Sequence, residues 1–579
     1  MPVLIWRPAV PARIALVPDA HGRGGRLHRL TDEGEPVGGP LRTAELAATV
    51  AELEAAEHPR WVWAAAESGY APLLPLLPHR LGRCHDLRLV EALLLAHEGR
   101  WGAPRSLGAA VARLRGLPVP ADLPEAGPSE AQDSLFAPDR LQLPPGVDPL
   151  AAVLEVHADQ QRRLRAIEGD EARSRFRLLV AAESAGALAA AEMAEDGLPW
   201  RTEVHDRLLT ELLGPRPHIP GTQPARLAEL SVQLQQALGG KPFNPDSHTQ
   251  VLRAFAEQGI RLTSTRVWEL REVDHPAAEL MIRYKELSRI HSAHGWAWQD
   301  AWARGGRFHP EYVVGGVVSG RWASRGGGAL QIPRILRRAV VADPGWRLVV
   351  ADAAQLEPRV LTALSGDAAL ARTAAGGDLY EALAATAFQG DRDKAKLGLL
   401  GAMYGQTSGD IGPLLATLRQ RYPAAMGYVE AAARTGEEGG IVSSRLGRPC
   451  PPPSDAWLDL AESAAEPGGE GGDQGGRSTR ARGRFTRNFV IQASAADWAL
   501  ALLAALRRRL AELERPGSRP HLVFFQHDEV MVHSPADAAD QVAEAVTAAA
   551  DEASRLVFGA SPVRFPMSTA VVECYADAK

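Results

Sequence analysis

The stretch that most constrains this chain is Trp346 to Asp367, WRLVVADAAQLEPRVLTALSGD. Its apolar run Leu348-Val349-Val350-Ala351 ends in a carboxylate, Asp352. Apolar residues at helical spacing follow, Leu356, Val360, Leu361 and Leu364, with Gly366 as the stop. The pattern predicts a short buried strand that carries one acid to its end and runs straight into a helix. Such a junction can hold a metal ligand rigidly. It is equally a place where Asp serves as an ordinary N-cap. The rest of the chain decides between the two by what it can bring to Asp352.

A chain of 579 residues exceeds one hydrophobic core, so roughly three or four domains or subdomains are expected. With 45% hydrophobic and 23% charged residues it has the composition of a soluble globular protein. Cys84, Cys450 and Cys574 are far apart and form no CxxC pair, which argues against a disulfide framework or zinc site and for a reducing, cytoplasmic setting. The start lacks a signal-peptide shape, and no apolar run reaching membrane-spanning length is expected. The net charge of −6 weighs mildly against a nucleic-acid partner, although local charge matters more than the average.

Residues 1 to about 150 alternate short apolar runs with Pro- and Gly-rich breaks. Strands are expected at Arg13–Val17 and Arg60–Trp63 and a helix over Asp86–His97, an α/β pattern. Pro118 to Asp148 reads as a connector. Leu150 to about Leu213 is Ala-, Leu- and Arg-rich with helical period, and Pro215 to Gly240 continues it. Asp246 or Ser247 should cap a helix over Gln250–Gln258, and a long helix is expected through Pro276–His294. Two arginine clusters, Arg321 to Arg347 and Arg477 to Arg487, stand out in an otherwise acidic chain and suit phosphate binding. Glu462 to Gly476, ESAAEPGGEGGDQGG, reads as a disordered insertion.

Three constellations carry chemistry. The first is Asp352 with Gln355, Glu357 and Arg359. In the second, RDKAKLGLLGAMYG, the residues Arg392, Lys396, Leu400 and Tyr404 recur every four positions and form one slowly turning helical stripe. Two cations at one end and an aromatic at the other suit an anionic ligand with a flat body. The third, HLVFFQHDEVMVH (His521 to His533), reads as a hairpin whose turn carries Asp528 and Glu529, with a carboxylate free to face Asp352. Two carboxylates from separate strand ends are the minimum for clamping two Mg²⁺ ions, which favour a few carboxylates plus substrate oxygens. Together the parts make a nucleotidyl transferase.

These motifs resemble, in order, motifs A, B and C of the bacterial family A DNA polymerases, the DNA polymerase I family. DAAQLEPRVLTALSGD is similar to a DYSQIELR-type motif A, RDKAKLGLLGAMYG to the R-x3-K-x7-YG fingers helix, and QHDEV to the VHDE hairpin. SGRWASRGGGALQIPR is similar to TGR…LQNIP, RNFVIQASAAD to N-x3-Q-G-x-AAD, and FNPDSHTQ to a thumb segment. The resemblance runs from about residue 185 to the end. It implies an α/β exonuclease-like domain followed by a right-hand polymerase with an antiparallel palm sheet and helical thumb and fingers. The implied divisions are 1–180 exonuclease-like, 181–307 thumb, 308–360 and 484–579 palm, and 361–483 fingers.

By motif position, the resemblance implies that Asp352 and Asp528 hold two Mg²⁺ ions, with Glu529 a secondary acid. Arg392 and Lys396 would grip the incoming dNTP, Leu400 would lie against its sugar and base, and Tyr404 would sit at the templating pair. Glu357 with Tyr404 would exclude a 2′-hydroxyl, and Gln355 would lie beside them. Arg321, Gln331, Arg484, Asn488, Gln492 and His527 would contact primer-template DNA. The implied protein is a monomeric DNA polymerase of the cytoplasm and nucleoid, acting on DNA and dNTPs without a membrane.

Departures from the family pattern are Ala353 for a Tyr, Pro358 inside the motif A helix, Leu400 for Phe or Tyr, and a shortened QIP with Ala329 for Asn. Pro358 is tolerable only in the first helical turn. Leu400 should weaken stacking and alter the response to sugar analogues. The N-terminal region lacks the D-x-E pair that a two-metal 3′→5′ exonuclease needs, offering Asp19 and Asp86 instead. It reads as an exonuclease-like fold without proofreading. The alternatives are a polymerase with residual exonuclease, a related single-subunit RNA polymerase, and a catalytically weak DNA-binding repair factor.

Overall fold

In the computed structural model, residues 13–19, 23–123, 141–219, 221–325, 332–405, 411–458 and 472–578 are described. Gln331, Ala329 and the expected insertion through residue 471 lie outside them. The chain forms two compact units. The first comprises Met1–Glu195, Tyr312–Ala323 and Val349–Val571, and the second Asp196–Glu311, Ser324–Leu348 and Val572–Lys579.

The first unit begins with a five-stranded sheet. Its strands are β1 (Arg13–Pro18), β2 (Gly25–Leu30), β3 (Pro36–Thr43), β4 (Arg60–Trp63) and β5 (Arg83–Asp86), in the order β3-β2-β1-β4-β5. β1, β4 and β5 are parallel, with Arg13 level with Arg60 and Arg60 level with Arg83. The strands expected at Arg13 and Arg60 form. Ala15, Val62, Leu87, Val111, Val153 and Val156 make the core beneath them. The helix expected from Asp86 runs over Leu87–His97 with Asp86 as its N-cap.

The rest of this unit is built on a four-stranded sheet in the order His521–Gln526, Glu529–Pro535, Trp346–Ala353, Met567–Val572. Val349, Val350 and Ala351 are buried, as a strand covered on both faces requires. The following helix spans Leu356–Ser365 and ends at Gly366 in the left-handed conformation, φ 63°. Pro358 falls in its first turn, where its missing N–H costs nothing.

Against this sheet lies a 41-residue helix, Gly472–Glu512. Its start overturns part of the expected disorder, because Gly472–Gly476 belong to the helix. By length and composition its segment Gly476–Glu512 also passes as a membrane span, contrary to the sequence expectation, yet 89% of the apolar window is buried within the protein. Phe489, Ile491, Trp498, Leu502, Leu503 and Leu506 explain this: they are core contacts around most of the helix.

The second unit is largely helical. Leu209, Leu213, Leu230, Leu234, Phe255, Leu270, Met281 and Tyr284 form its core. Ser247 caps the helix His248–Glu257, while Asp246 instead accepts hydrogen bonds from Tyr284 (3.0 Å) and Ser288 (2.9 Å). The helix expected at Pro276–His294 forms over those residues.

Candidate active site

The strand Trp346–Ala353 ends beside the hairpin turn between Gln526 and Glu529 because the Ala353 N–H donates to the Asp528 carbonyl at 2.9 Å. This bond brings the backbone of Asp528 against the residue that follows Asp352. Both carboxylates belong to half-buried residues, while Glu529 starts the next strand and is 4% exposed. The two connections are held in unusual backbone: Gln355 has φ 51° and His527 φ 56°, both left-handed and neither a glycine. Positions of this kind cluster at functional sites.

A cavity of about 250 Å³ opens here, lined by Arg321, Gln355, Leu356, Glu357, Pro358, Tyr380, Leu400, Tyr404, Ala495, Ala496, His527 and Asp528. It thus gathers Arg321, Gln355, Glu357, Leu400, Tyr404, His527 and Asp528 from the residues expected by sequence. Asp352 and Glu529 are not on its wall. On the wall, Glu357 links two of these residues. Its Oε2 accepts from the Tyr404 hydroxyl at 2.6 Å, and its Oε1 is paired with the Arg321 guanidinium. Burial and the neighbouring carboxylate push the Tyr404 phenol far up, keeping it a neutral donor.

The helix Arg392–Tyr404 carries the expected stripe, with Asp391 as N-cap and Gly405 as left-handed stop. Leu400 and Tyr404 reach the cavity, whereas Arg392 and Lys396 are exposed toward the other end. Arg392 pairs with Asp378 at 2.7 Å and lies 5.7 Å over the Tyr380 ring. Burial, helped by Glu357, pushes the Tyr380 phenol up to about 12.

Along the long helix, Arg484, Asn488 and Gln492 follow one another at four-residue spacing toward Ala495 and Ala496 in the cavity wall. Arg484 is exposed and Gln492 half-buried. Asn488 Oδ1 and His527 Nδ1 are buried atoms with no hydrogen-bond partner. Burial and Arg321 lower the His527 pKa, so its ring is neutral near pH 7. Orphaned buried polar atoms, one of them on the cavity wall at His527, are costly unless a ligand satisfies them.

The reading of both arginine clusters as phosphate binders is corrected in part, because several members are structural staples. Arg482 donates to the Pro451 carbonyl at 2.6 Å and Arg487 to that of Ala402. Arg337 stacks over Tyr575 at 4.4 Å, and Arg347 pairs with Glu573 at 2.9 Å.

Sequence reasoning assigned no role to four residues that hold the site. Arg359 is 1% exposed and donates to the carbonyls of Ala354, Ala374, Gly377 and Arg564 and to Gln355 Oε1. It staples the motif A turn without a carboxylate partner among those bonds. Tyr380 was missed altogether. Arg448, 5% exposed, joins Glu183 (2.7 Å) and Asp497 (3.1 Å). A Cβ on Gly320 (φ 84°) would come within 2.5 Å of the Arg448 guanidinium. The SGRW segment therefore needs its glycine for this close approach, while Arg321 meets Glu357 and Trp322 packs on Tyr312 and Phe525.

Among the described residues no group of three or more His, Cys, Asp or Glu is placed to hold a metal ion; the carboxylates of Asp352 and Asp528 are nevertheless the donor type that a divalent cation takes. Carboxylates from two adjoining strand ends leave the open coordination that Mg²⁺ uses with substrate oxygens and water.

The family model for DNA polymerase family A matches residues 222–571. DNA polymerase I of Chloroflexus aurantiacus is 28% identical over 361 residues, 55% of this chain and 36% of that protein. The thermostable DNA polymerase I of Thermus aquaticus is 27% identical over 374 residues, 58% of this chain and 42% of that protein. The chain thus matches less than half the length of these relatives. Its fold is similar to a structure described as the POL domain of Pol1 from M. smegmatis in complex with DNA primer-template and dNTP. The TM-score is 0.69 at 18% identity, with 98% of this chain and 96% of that chain covered.

Proposed function

This chain belongs to DNA polymerase family A, and from that premise we propose that it is a template-directed DNA polymerase joining dNTPs to a primer 3′-hydroxyl. The observation that most supports this reading is the hydrogen bond from Ala353 to Asp528, which sets two carboxylate-bearing strand ends together beside the Glu357–Tyr404 wall. Asp352 and Asp528 would hold two Mg²⁺ ions. When bound, these supply Lewis-acid stabilisation of charge on the attacking and leaving oxygens.

The chain's own residues do the positioning. Arg392 and Lys396, exposed on one helix, attract the triphosphate. Arg392 must exchange Asp378 for phosphate to do so. Leu400 and Tyr404 form the apolar floor for sugar and base, and Glu357, fixed by Arg321 and Tyr404, fills the space a 2′-hydroxyl would need. Asn488, Gln492, Arg484 and His527 follow the duplex, whose donors would satisfy Asn488 Oδ1 and the neutral His527 Nδ1.

In the N-terminal domain, both oxygens of Asp86 accept backbone N–H groups, from Ala66 (2.7 Å) and Leu89 (3.1 Å), and Asp19 is exposed. A carboxylate consumed in this way is poorly placed as a metal ligand, which supports a domain without proofreading. We further read the enzyme as a monomer of the cytoplasm and nucleoid, divided into thumb, palm and fingers at the boundaries given above.

The test is primer extension with Mg²⁺ by the Asp352→Asn, Asp528→Asn double variant. Its rate should fall by at least about a hundredfold. Wild-type extension by a folded double variant would overturn the assignment, and salt-sensitive DNA binding without extension by the wild type would favour the binding-factor alternative. Efficient rNTP incorporation would favour the RNA polymerase.

A further inference from the structure

A second cavity, of about 360 Å³, lies in the N-terminal domain. It sits where β1, β4 and β5 begin, bounded by Arg13, Arg60 and His85 from those strands. Arg165 and Arg177, from the helices Pro149–Ala166 and Asp170–Asp196, close its mouth. Asp86 is absent from its lining, although the neighbouring His85 is on it. The carboxyl group of Asp86 is taken up by backbone N–H groups of Ala66 and Leu89, so this cavity is not explained as the remnant of a carboxylate site.

Its charge is unbalanced. Arg13 has Asp32 at 3.8 Å and feels Glu33 as well. Arg60 donates to the Cys84 carbonyl at 3.0 Å and has no carboxylate partner among the described residues. Arg165 donates to the Glu33 carbonyl at 3.3 Å and acts through space on the Glu33 carboxylate, and Arg177 has no hydrogen-bonded carboxylate among the described residues. Asp32 and Glu33 do not neutralise four guanidinium groups. The field acts on the buried neighbours. Burial, with Arg60 and Arg13 adding repulsion, lowers the His85 pKa to about 3, and burial likewise drives His157 well down. Burial also lowers Arg60 itself, with Arg83 and Arg13 opposing its charge. Four guanidinium groups against two carboxylates leave the cavity with a surplus of forked N–H donors, the donor set that binds phosphoryl oxygens.

We propose that this cavity binds a compact phosphorylated ligand, with Arg60 at its floor and Arg165 and Arg177 at its mouth. The volume lies within the range of small-molecule sites. The forked donors suit a phosphate or pyrophosphate group.

The experiment is calorimetric titration of the full chain with pyrophosphate in the absence of divalent cations. Arg165 and Arg177 are exposed, so an Arg165→Glu, Arg177→Glu variant should keep the wild-type melting temperature and polymerase activity. It should bind pyrophosphate at this site about tenfold more weakly or worse. An Arg392→Ala, Lys396→Ala variant separates any binding at the dNTP site and should retain the N-terminal affinity. Wild-type titration by the Arg165, Arg177 variant would overturn the proposal. So would pyrophosphate binding that vanishes wholly in the Arg392, Lys396 variant. A parallel titration with a single-stranded oligodeoxynucleotide tests the source of the phosphate. If only oligonucleotide affinity falls in the Arg165, Arg177 variant, the site serves DNA and the small-ligand assignment is wrong.

Discussion

The Tyr404 hydroxyl donates to Glu357 at 2.6 Å, and so couples the end of the helix Arg392–Tyr404 to the start of Leu356–Ser365. Arg321 holds the other oxygen of the same carboxylate. Glu357 is therefore fixed from two sides while it faces the cavity.

Removing it should loosen sugar selection. Glu357→Ala is expected to lower the dNTP-over-rNTP ratio of kcat/KM by about tenfold or more, since a steric and polar filter is lost. Tyr404→Phe, which leaves Arg321 in place, should have a smaller effect on the same ratio. Single-nucleotide incorporation assays measure both, and an unchanged ratio in Glu357→Ala removes the filter role.

Arg359 should matter for stability more than any exposed arginine nearby. Arg359→Met strands the carbonyls of Ala354, Ala374, Gly377 and Arg564 in a buried site. The expected cost is ~3 kcal/mol or more in urea unfolding.

Arg448 and Arg508 make a matched contrast. Arg448→Met leaves Glu183 (3% exposed) and Asp497 (0%) buried without their cation, at a cost of about 3–5 kcal/mol. Arg508→Ala breaks an exposed pair with Glu552 (2.7 Å), worth less than about 1 kcal/mol. Denaturant midpoints of the two variants should differ accordingly.

Acid should destabilise the chain before its carboxylates titrate. Burial lowers His85 to about 3 and His205 to about 4, from an ordinary 6.5. Below pH 6.5 the unfolded chain binds protons that the folded chain refuses. The stability these neutral rings contribute is complete above pH 6.5 and is lost as pH falls toward their folded values, by roughly 1.4 kcal/mol per pH unit per group. Melting temperature measured from pH 7.5 to 5 should fall, with a shallower slope in His205→Asn.

The strand ending in Asp352, the hairpin before Asp528 and the stripe from Arg392 to Tyr404 were legible because each is a local periodic pattern. Gly366 was a legible stop because left-handed backbone favours glycine. What stayed hidden depends on distant partners. Arg448 finds Glu183 across 265 positions and Arg359 finds the Arg564 carbonyl across 205. Separations of that size leave no periodic trace. Tyr380 was hidden because a lone aromatic in a helix reads as core. The long helix Gly472–Glu512 was misread at its start because its glycine-rich composition outweighed the packing that follows.

Gln355 and His527 bear on how this chain can change. Each occupies backbone that glycine adopts freely and that costs other residues of order 1 kcal/mol. Exchange to glycine would relieve that conformational penalty but remove a side chain from the cavity wall. Selection for heat tolerance and selection for catalysis therefore pull in opposite directions at these two positions. A thermostabilised descendant that kept its activity would gain its stability elsewhere in the chain.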